Sequence, residues 1–185
     1  VYKAATVFLC RNNQWAISVP YHQQTATDSL AVKSIAYGIE GIQVDGNDIL
    51  GVYEITRQAA HRARQGKGPT LIEAITYRMG AHTTSDDPRV YRDENDVEEW
   101  EEKDPLRRFK SYLIKEKLWD KKKDELLEKE IKDEIHTAVT QAEQIDLPNI
   151  TTMFEDVLDQ IPWHLEDQLD EVQESRQLDT IEQEA

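Results

Sequence analysis

The chain has 185 residues and a formal net charge of −15, and hydrophobic residues make up 38% of it. This length fits one domain with a helical extension, and no apolar run approaches the roughly 18 residues that a membrane span requires. An acidic chain without a basic stripe is also poorly suited to nucleic acid, because neutralisation of phosphates supplies most of that affinity. We therefore expect neither a membrane nor a nucleic-acid partner.

Charge is unevenly distributed along the chain. Residues 1–92 contain 10 Lys and Arg against 8 Asp and Glu, a balance of +2, whereas residues 93–185 contain 12 against 29, a balance of −17. Acidic surface favours solubility or a basic protein partner. No signal-peptide pattern follows Val1, and the single cysteine, Cys10, fits a reducing compartment as a buried structural thiol.

Three short apolar segments in the first half predict β-strands at residues 4–10, 41–46 and 70–77. Helical periodicity separates them, near residues 26–37 and from residue 49 to about residue 65. Polar capping residues precede each helix and a glycine follows it, namely Thr27 or Asp28 and Gly38 for the first and Asn47 or Asp48 and Gly66 for the second. This alternation predicts an α/β fold with a parallel sheet and flanking helices.

Beyond residue 92 the sequence changes to charged helices without a strand signal. Pro105 suits the first turn of a helix, and Leu147-Pro148-Asn149 separates a long helix from a short one near residues 151–160. We expect an α/β part at residues 1–92 and a helical subunit-contact region at residues 93–165. Residues 166–185 are expected to form an acidic tail, either a solvated helix or a frayed end.

Polar residues follow all three predicted strands, at the edge of a parallel sheet where ligands tend to bind. Asn12-Asn13 follows the first strand, where Asn13 is either a Mg²⁺ ligand or part of a turn. Residues 45–48 begin like a calcium loop, but Leu50 stands where that loop needs glycine, so we interpret them as a helix cap. Residues 77–92 form a polar segment that is either a binding loop or disordered.

Several side chains in this polar segment are candidates for binding or catalysis. His82 suits anion binding or acid–base chemistry, or is an ordinary surface histidine. Thr83, Thr84 and Ser85 can cap turns or donate to a ligand. Arg78 and Asp86 are placed to pair across the loop.

Four motifs occur together and in order, at residues 8–18 (FLCRNNQWAIS), 42–48 (IQVDGND), 68–73 (GPTLIE) and 77–92. With them the chain resembles the alpha subunit of the thiamine diphosphate-dependent 2-oxo acid dehydrogenases through residues 1 to about 165. The resemblance implies the carboxyl-terminal half of a thiamine diphosphate-binding fold. It also implies the cofactors thiamine diphosphate and Mg²⁺, with the thiamine ring as the electron sink for decarboxylation.

The resemblance also assigns roles to individual residues. Asn13 would bind Mg²⁺ through its side-chain oxygen and Trp15 through its carbonyl. His82 would lie near the diphosphate and take part in acyl transfer to lipoamide, as the catalytic residue. Further cofactor contacts would be Arg78 and Ser85. A group that orders the loop would comprise Arg78, Asp86, Tyr91 and Arg92. Thr83 would be a possible phosphorylation site.

The sequence departs from this family in lacking the Gly-Asp-Gly segment that supplies the metal carboxylate, together with the upstream half of the subunit. We therefore expect a fragment, a nicked subunit or a split gene product that is inactive by itself. The implied partners are the missing amino-terminal half, a beta subunit in a heterotetramer that supplies the activating glutamate, and the dihydrolipoyl acyltransferase core. The implied location is the bacterial cytoplasm.

Two interpretations of the substrate and one of another class stay open. Residues 103–106, 118–119 and 150–172 look most like bacterial pyruvate dehydrogenase alpha subunits, whereas CRNN, VDGND and TTSDDP look like branched-chain relatives. We prefer pyruvate. The alternative of another class is a non-catalytic acidic fragment that only binds a partner.

Overall fold

The computed structural model describes the backbone of residues 1–183 and the side chains of residues 1–175. The chain divides into two compact units, Val1–Lys123 and Asp124–Ala185. The predicted division at residues 92 and 165 remains a prediction, and the last two residues of the predicted acidic tail lie outside the described part. None of the helices in the described residues is long and apolar enough to cross a membrane.

The first unit contains five strands. They are Val7–Asn12 (β1), Trp15–Ala16 (β2), Val19–Pro20 (β3), Glu40–Asp45 (β4) and Thr70–Ile75 (β5). Strands β1, β5 and β4 lie in that order in one parallel sheet, and β2 and β3 form a small antiparallel hairpin. The predicted α/β fold with a parallel sheet is therefore confirmed.

Short and long helices accompany the sheet and follow it. In the first unit they are Tyr21–Gln24 (α1), Ser34–Tyr37 (α2), Ile49–Arg64 (α3), Glu94–Glu101 (α4) and Pro105–Lys115 (α5), with 3-10 turns at Ala31–Lys33 and Pro88–Val90. The remaining helices are Lys121–Glu143 (α6), Thr152–Glu155 (α7) and Trp163–Gln183 (α8). The helical carboxyl-terminal region is thus confirmed, although the short helix expected near residues 151–160 covers only four of them.

The core of the first unit lies between β5 and α3. Ile72 and Ala74 of β5 are buried, as are Ala59 and Ala63 of α3, where small side chains allow the helix to pack closely. Side chains alternate between the faces of a strand, so Glu73 projects from the opposite face, where it contacts the 3-10 turn at Ala31. The central strand, β5, is therefore covered on both faces.

The predicted helix of residues 26–37 is wrong at its beginning. Residues 26–30 are not helical, and Thr27 uses its hydroxyl to donate to Ser29 O instead of capping a helix. Local hydrogen bonds of this kind compete with helix formation, which explains the short 3-10 turn followed by α2. The predicted end is correct, because Gly38 follows α2 with φ of 65°.

The prediction for α3 is confirmed at both ends. The Asp48 side chain accepts hydrogen bonds from the amides of Leu50 and Gly51, so it is the cap of this helix. Gly66 follows the last turn with φ of 72°. The interpretation of residues 45–48 as a strand-to-helix turn therefore agrees with the structure.

The first strand is less buried than the sequence indicated. β1 has one neighbour, β5, in the described sheet, and the side chains of Phe8 and Leu9 keep 50% and 57% of their surface exposed. Strands of parallel sheets are normally covered on both faces, which is why the apolar run suggested a buried strand. β1 is more exposed than predicted because it is an edge strand of the described sheet.

Candidate functional site

The carboxyl ends of the three parallel strands lie side by side at the same end of the sheet. In the register of the sheet, Asn12 of β1 and Asp45 of β4 both lie beside Ile75 of β5. The polar segments that follow these strands are therefore brought to one edge, as the sequence predicted. Arg108 of α5 adds an ion pair there, with 2.8 Å between Nη1 and Asp45 Oδ2.

A tight turn at residues 12–15 follows β1. Asn12 Oδ1 accepts a hydrogen bond from Gln14 N, and Asn13 Oδ1 accepts one from Trp15 N, each at 3.1 Å. Gln14 has φ of 68°, in the left-handed region that side chains other than glycine rarely adopt. The interpretation of Asn12-Asn13 as a turn is therefore correct for the backbone. Each side-chain oxygen accepts one hydrogen bond in this turn and keeps a second lone pair.

The donor atoms in this turn suit a hard divalent cation. A carboxamide oxygen has two lone pairs, so Asn13 Oδ1 retains one beyond its bond to Trp15. Tyr21 N donates to Gln14 O at 2.8 Å, so the adjacent Trp15–Pro20 pair of the hairpin is a non-hydrogen-bonded pair and Pro20 does not occupy the Trp15 carbonyl. The described residues contain no group of three His, Cys, Asp or Glu that could hold a metal, so other ligands would have to complete a Mg²⁺ site.

A small basic cavity adjoins the turn. It has a volume of about 230 Å³, and Arg11, Asn13 and Lys33 are among its lining residues. Two cationic side chains beside a carboxamide oxygen favour a phosphorylated ligand together with its metal ion. Arg11 and Lys33 were not selected from the sequence, because nothing in their spacing shows that they share a cavity.

A larger cavity of about 610 Å³ is also lined by residues of the hairpin. Aromatic rings form much of its wall, and its charged lining residues include the acids Asp93, Asp96 and Glu99. Carboxylates repel an anionic group, so this cavity is the less suitable of the two for a diphosphate. The charge of the lining thus favours the smaller cavity beside Asn13.

The polar segment after β5 is an ordered loop. Tyr91 OH donates to Asp86 Oδ2 at 2.7 Å and accepts from Arg78 Nη2 at 2.8 Å. Arg78 also donates through Nη2 to Ile17 O at 2.7 Å, which ties the loop to the hairpin. Arg78 and Asp86 are therefore joined through Tyr91, which corrects the expectation that they pair with each other directly.

Two further contacts fix the ends of this loop. Arg92 donates to the carbonyls of Arg78 and Met79, at 2.5 and 2.8 Å, and its guanidinium lies 5.7 Å from the centre of the Tyr77 ring. Arg78 N donates to Asn13 O at 3.2 Å. The loop-ordering group predicted from the resemblance is thus one connected network.

The network shifts two pKa values. Hydrogen bonds from the His82 amide and from the Tyr91 hydroxyl lower the pKa of the Asp86 carboxyl. Burial and the hydrogen bond to Asp86 raise the pKa of the Tyr91 hydroxyl. At neutral pH the loop is therefore held by an ionised Asp86 and a protonated Tyr91.

The tip of the loop is exposed. The His82 amide donates to Asp86 Oδ2 at 2.7 Å, and the Thr83 and Ser85 hydroxyls lie 3.2 Å apart. The side chains of all three are exposed. They are available to a ligand or a partner, while the backbone behind them is held by Asp86.

Two side chains on neighbouring strands, the buried Glu73 and the half-buried Cys10, carry titratable groups. Glu73 has no exposed surface and accepts hydrogen bonds from Asn12, Ala31 and Gln43. Burial and the negative charge of Glu73 raise the pKa of the Cys10 thiol, which favours the structural interpretation of that cysteine. The sequence signal for Glu73, one charged residue in the apolar strand TLIEAI, was present but was not used.

Comparison with known proteins identifies relatives. Residues 1–151 match the family described as "Dehydrogenase E1 component". The 3-methyl-2-oxobutanoate dehydrogenase subunit alpha of Mycobacterium tuberculosis is 45% identical over 161 residues, which cover 85% of this chain and 44% of that protein. The pyruvate dehydrogenase E1 component subunit alpha of Staphylococcus aureus is 44% identical over 168 residues, which cover 90% and 45% respectively. The chain therefore spans less than half the length of these curated relatives.

Proposed function

This chain belongs to the family of dehydrogenase E1 components, and from that premise we propose that it forms part of the alpha subunit of a pyruvate dehydrogenase. The reaction is the oxidative decarboxylation of a 2-oxo acid with transfer of the acyl group to lipoamide. The observation that carries the proposal is the turn at residues 12–15, where two oxygen donors suited to Mg²⁺ adjoin a basic cavity.

Residues of this turn and cavity would hold the cofactor. Asn13 Oδ1 and the Trp15 carbonyl would coordinate Mg²⁺, and Arg11 and Lys33 would neutralise the diphosphate. When bound, thiamine diphosphate supplies the nucleophilic carbon and the electron sink for decarboxylation. The missing metal carboxylate comes from outside the described residues.

The ordered loop completes the site. Tyr91 and Arg92 hold the loop backbone. His82 and Ser85 at the tip of the loop and Arg78 at its base would contact the cofactor. His82 then carries out the proton transfers that accompany acyl transfer to lipoamide, as a histidine with an exposed ring can do. Such order reduces the entropy lost when the loop closes over a ligand.

One proposed partner rests on an exposed surface of this chain, and the others rest on its family. The half-exposed Phe8 and Leu9 on the edge strand support a further segment of the alpha subunit beside β1, which would also supply the metal carboxylate. A beta subunit completes a heterotetramer, and the lipoyl groups belong to a dihydrolipoyl acyltransferase core. The assembly works in the bacterial cytoplasm, which agrees with the single cysteine.

A branched-chain 2-oxo acid is the second candidate substrate. The relatives named for 3-methyl-2-oxobutanoate and for pyruvate match this chain almost equally, at 45% and 44% identity. Similarity of this size does not separate the two. Pyruvate is preferred because of the motifs at residues 103–106, 118–119 and 150–172.

The experiment uses the full-length subunit that contains this chain, purified with its beta partner. Intact mass and amino-terminal sequencing first define the polypeptides present. Release of CO₂ from pyruvate and from 3-methyl-2-oxobutanoate is then measured for the wild type, for Asn13→Ala and for Asn95→Ala, which removes an exposed carboxamide on α4. The proposal requires turnover of one substrate that depends on Mg²⁺ and thiamine diphosphate, is lost in Asn13→Ala and survives in Asn95→Ala.

Other results would point to the alternatives. Turnover of 3-methyl-2-oxobutanoate at higher kcat/KM than pyruvate would assign the branched-chain activity. A complex that assembles but neither binds thiamine diphosphate nor releases CO₂ would favour the non-catalytic acidic interaction role.

A further inference from the structure

Glu73 is a buried carboxylate in the centre of the sheet. It stands on β5 between β1 and β4, and none of its surface is exposed. Its Oε1 accepts from Asn12 Nδ2 at 2.8 Å, and its Oε2 accepts from Ala31 N at 2.9 Å and from Gln43 Nε2 at 3.2 Å. Three separate elements therefore direct donors at one side chain.

The chemistry of these donors explains why a carboxylate is required. Every group that the structure shows donating to Glu73 is an N–H, and a glutamate carboxylate can accept on both of its oxygens. Burial by itself would raise the pKa of Glu73, but hydrogen bonds from Ala31, Asn12, Leu30 and Gln43 outweigh burial and lower it. The carboxylate is thus ionised at neutral pH.

The contact between Glu73 and Asn12 has a consequence for the neighbouring turn. Because Asn12 directs its Nδ2 at Glu73, its Oδ1 is on the opposite side, where it accepts from Gln14 N at 3.1 Å. This bond supports Gln14 in its left-handed conformation, with φ of 68°. Gln14 lies between Asn13 and Trp15, whose oxygens Asn13 Oδ1 and Trp15 O are the proposed ligands of the metal ion.

We infer that Glu73 is a positioning residue for the metal-binding turn, which it holds by fixing the orientation of the Asn12 carboxamide. The inference rests on the proposed function for its link to Mg²⁺, whereas its geometric part concerns Glu73, Asn12 and Gln14 alone. Glu73 touches neither the metal nor the cofactor in this role. It acts two hydrogen bonds away from the backbone that separates the ligands.

A polarity exchange tests the geometric part. In Glu73→Gln, the side-chain oxygen stays with the backbone amide of Ala31, which cannot turn, so the new NH2 group faces Asn12 Nδ2. The Asn12 carboxamide then turns over and loses its bond to Gln14 N. In the double variant Asn12→Asp with Glu73→Gln, the new amide donates to the new carboxylate, which still accepts from Gln14 N. The exchange keeps the net charge and the number of hydrogen bonds. Gln43→Met is the control, because it removes a donor to Glu73 without touching Asn12.

Amide hydrogen exchange at Gln14 and Trp15 in this chain is the first readout. We expect Glu73→Gln to speed exchange at Gln14 roughly five- to tenfold, the effect of losing one hydrogen bond. The double variant should return exchange to within about twofold of the wild type, and Gln43→Met should leave Gln14 unchanged. Equal protection of Gln14 in all four proteins would overturn the inference.

Folding of the variants also decides the question. If Glu73→Gln does not fold, Asn12→Asp is compared with the double variant instead. Asn12→Asp places two carboxylates together. Recovery of folding in the double variant relative to both single variants supports the coupling of these two residues. A double variant no better than the worse single variant contradicts it.

The second readout is the Mg²⁺-dependent binding of thiamine diphosphate by the full-length subunit with its beta partner, measured by titration calorimetry. The affinity should fall about tenfold in Glu73→Gln, in proportion to the lost protection, and recover in the double variant. If the wild type does not bind the cofactor, the proposed function fails while the exchange result still stands. If the wild type binds and Glu73→Gln binds equally, only the positioning role fails.

Discussion

The hydroxyl of Tyr91 donates a hydrogen bond to Asp86 Oδ2 at 2.7 Å, and the same carboxylate oxygen accepts from the backbone amide of His82, also at 2.7 Å. One oxygen thus connects the end of the polar loop to the residue proposed for acyl transfer. Tyr91 also packs against Trp15, with 5.4 Å between the ring centres. The conformation at His82 therefore depends on an aromatic residue nine positions later in the chain.

Tyr91→Phe should loosen the loop without unfolding the sheet. The substitution keeps the ring that packs on Trp15 and removes the hydroxyl that joins Asp86 to Arg78. We expect faster amide exchange at His82, measured by mass spectrometry of loop peptides, because Asp86 loses one of its two constraints. Tyr53→Phe, on an exposed side chain of α3, is the matched control. Unchanged exchange at His82 would show that Asp86 holds it without Tyr91.

His82→Ala should separate the two half-reactions of the assembled enzyme. The side chain is exposed at the loop tip, whereas the ligands proposed for Mg²⁺ lie in the turn at residues 12–15. We expect decarboxylation with an artificial electron acceptor to fall little and acyl transfer to a lipoyl domain to fall roughly 100-fold, the range of general acid–base catalysis. An equal fall in both rates would assign His82 to decarboxylation or to cofactor binding.

Negative charge at Thr83 should weaken cofactor binding. The residue is exposed next to His82, and a carboxylate or phosphate there repels a diphosphate. Thr83→Glu is expected to reduce the affinity for Mg²⁺–thiamine diphosphate by roughly five- to tenfold, as for one added charge at short range in a solvated site. Thr137→Glu on α6 adds the same charge elsewhere and should have no effect. If Thr83→Glu and the wild type bind Mg²⁺–thiamine diphosphate with equal affinity, Thr83 does not lie near the diphosphate.

The free energy of unfolding should decrease in acid because Glu73 becomes protonated. Its pKa is lowered in the folded protein, so its contribution is complete above the unfolded value, about 4.3, and is lost as the pH falls through the folded value. Urea unfolding of the wild type is expected to show a loss of stability below about pH 4.3 that is smaller in Glu73→Gln. Parallel pH profiles for the two proteins would mean that other carboxylates dominate acid unfolding.

Gly46→Ala tests the close packing at the end of β4. A Cβ at this position would lie 2.6 Å from Ile75 O, which belongs to the backbone of β5 and cannot move away easily. We expect a loss of about 1–3 kcal/mol in the free energy of unfolding, the usual cost of overpacking. Gly80→Ala is the control, because a Cβ there meets nothing within 4 Å. Equal melting temperatures for the two variants would contradict the register of this edge.

The elements that the sequence predicted best are those with a local cause. The α3 helix combines an apolar face, a capping Asp48 and a terminal Gly66, and the structure agrees at both ends. The segment at residues 26–30 was predicted incorrectly because its Thr, Asp and Ser side chains can form either a helix cap or local turns. The contacts with β4 and β5 select a 3-10 turn at Ala31 instead.

The sequence by itself determined the strand and helix order, the polar ends of three strands and the family motifs, because each depends on residues close together in the chain. Tertiary structure alone decided that Glu73 contacts Asn12, 61 positions away, that Tyr91 joins Arg78 to Asp86, and that Arg11 and Lys33 share a cavity with Asn13. Such contacts follow from strand register and loop closure. Local pattern carries no information on which distant donor meets which acceptor, since that pairing is fixed only when the sheet forms.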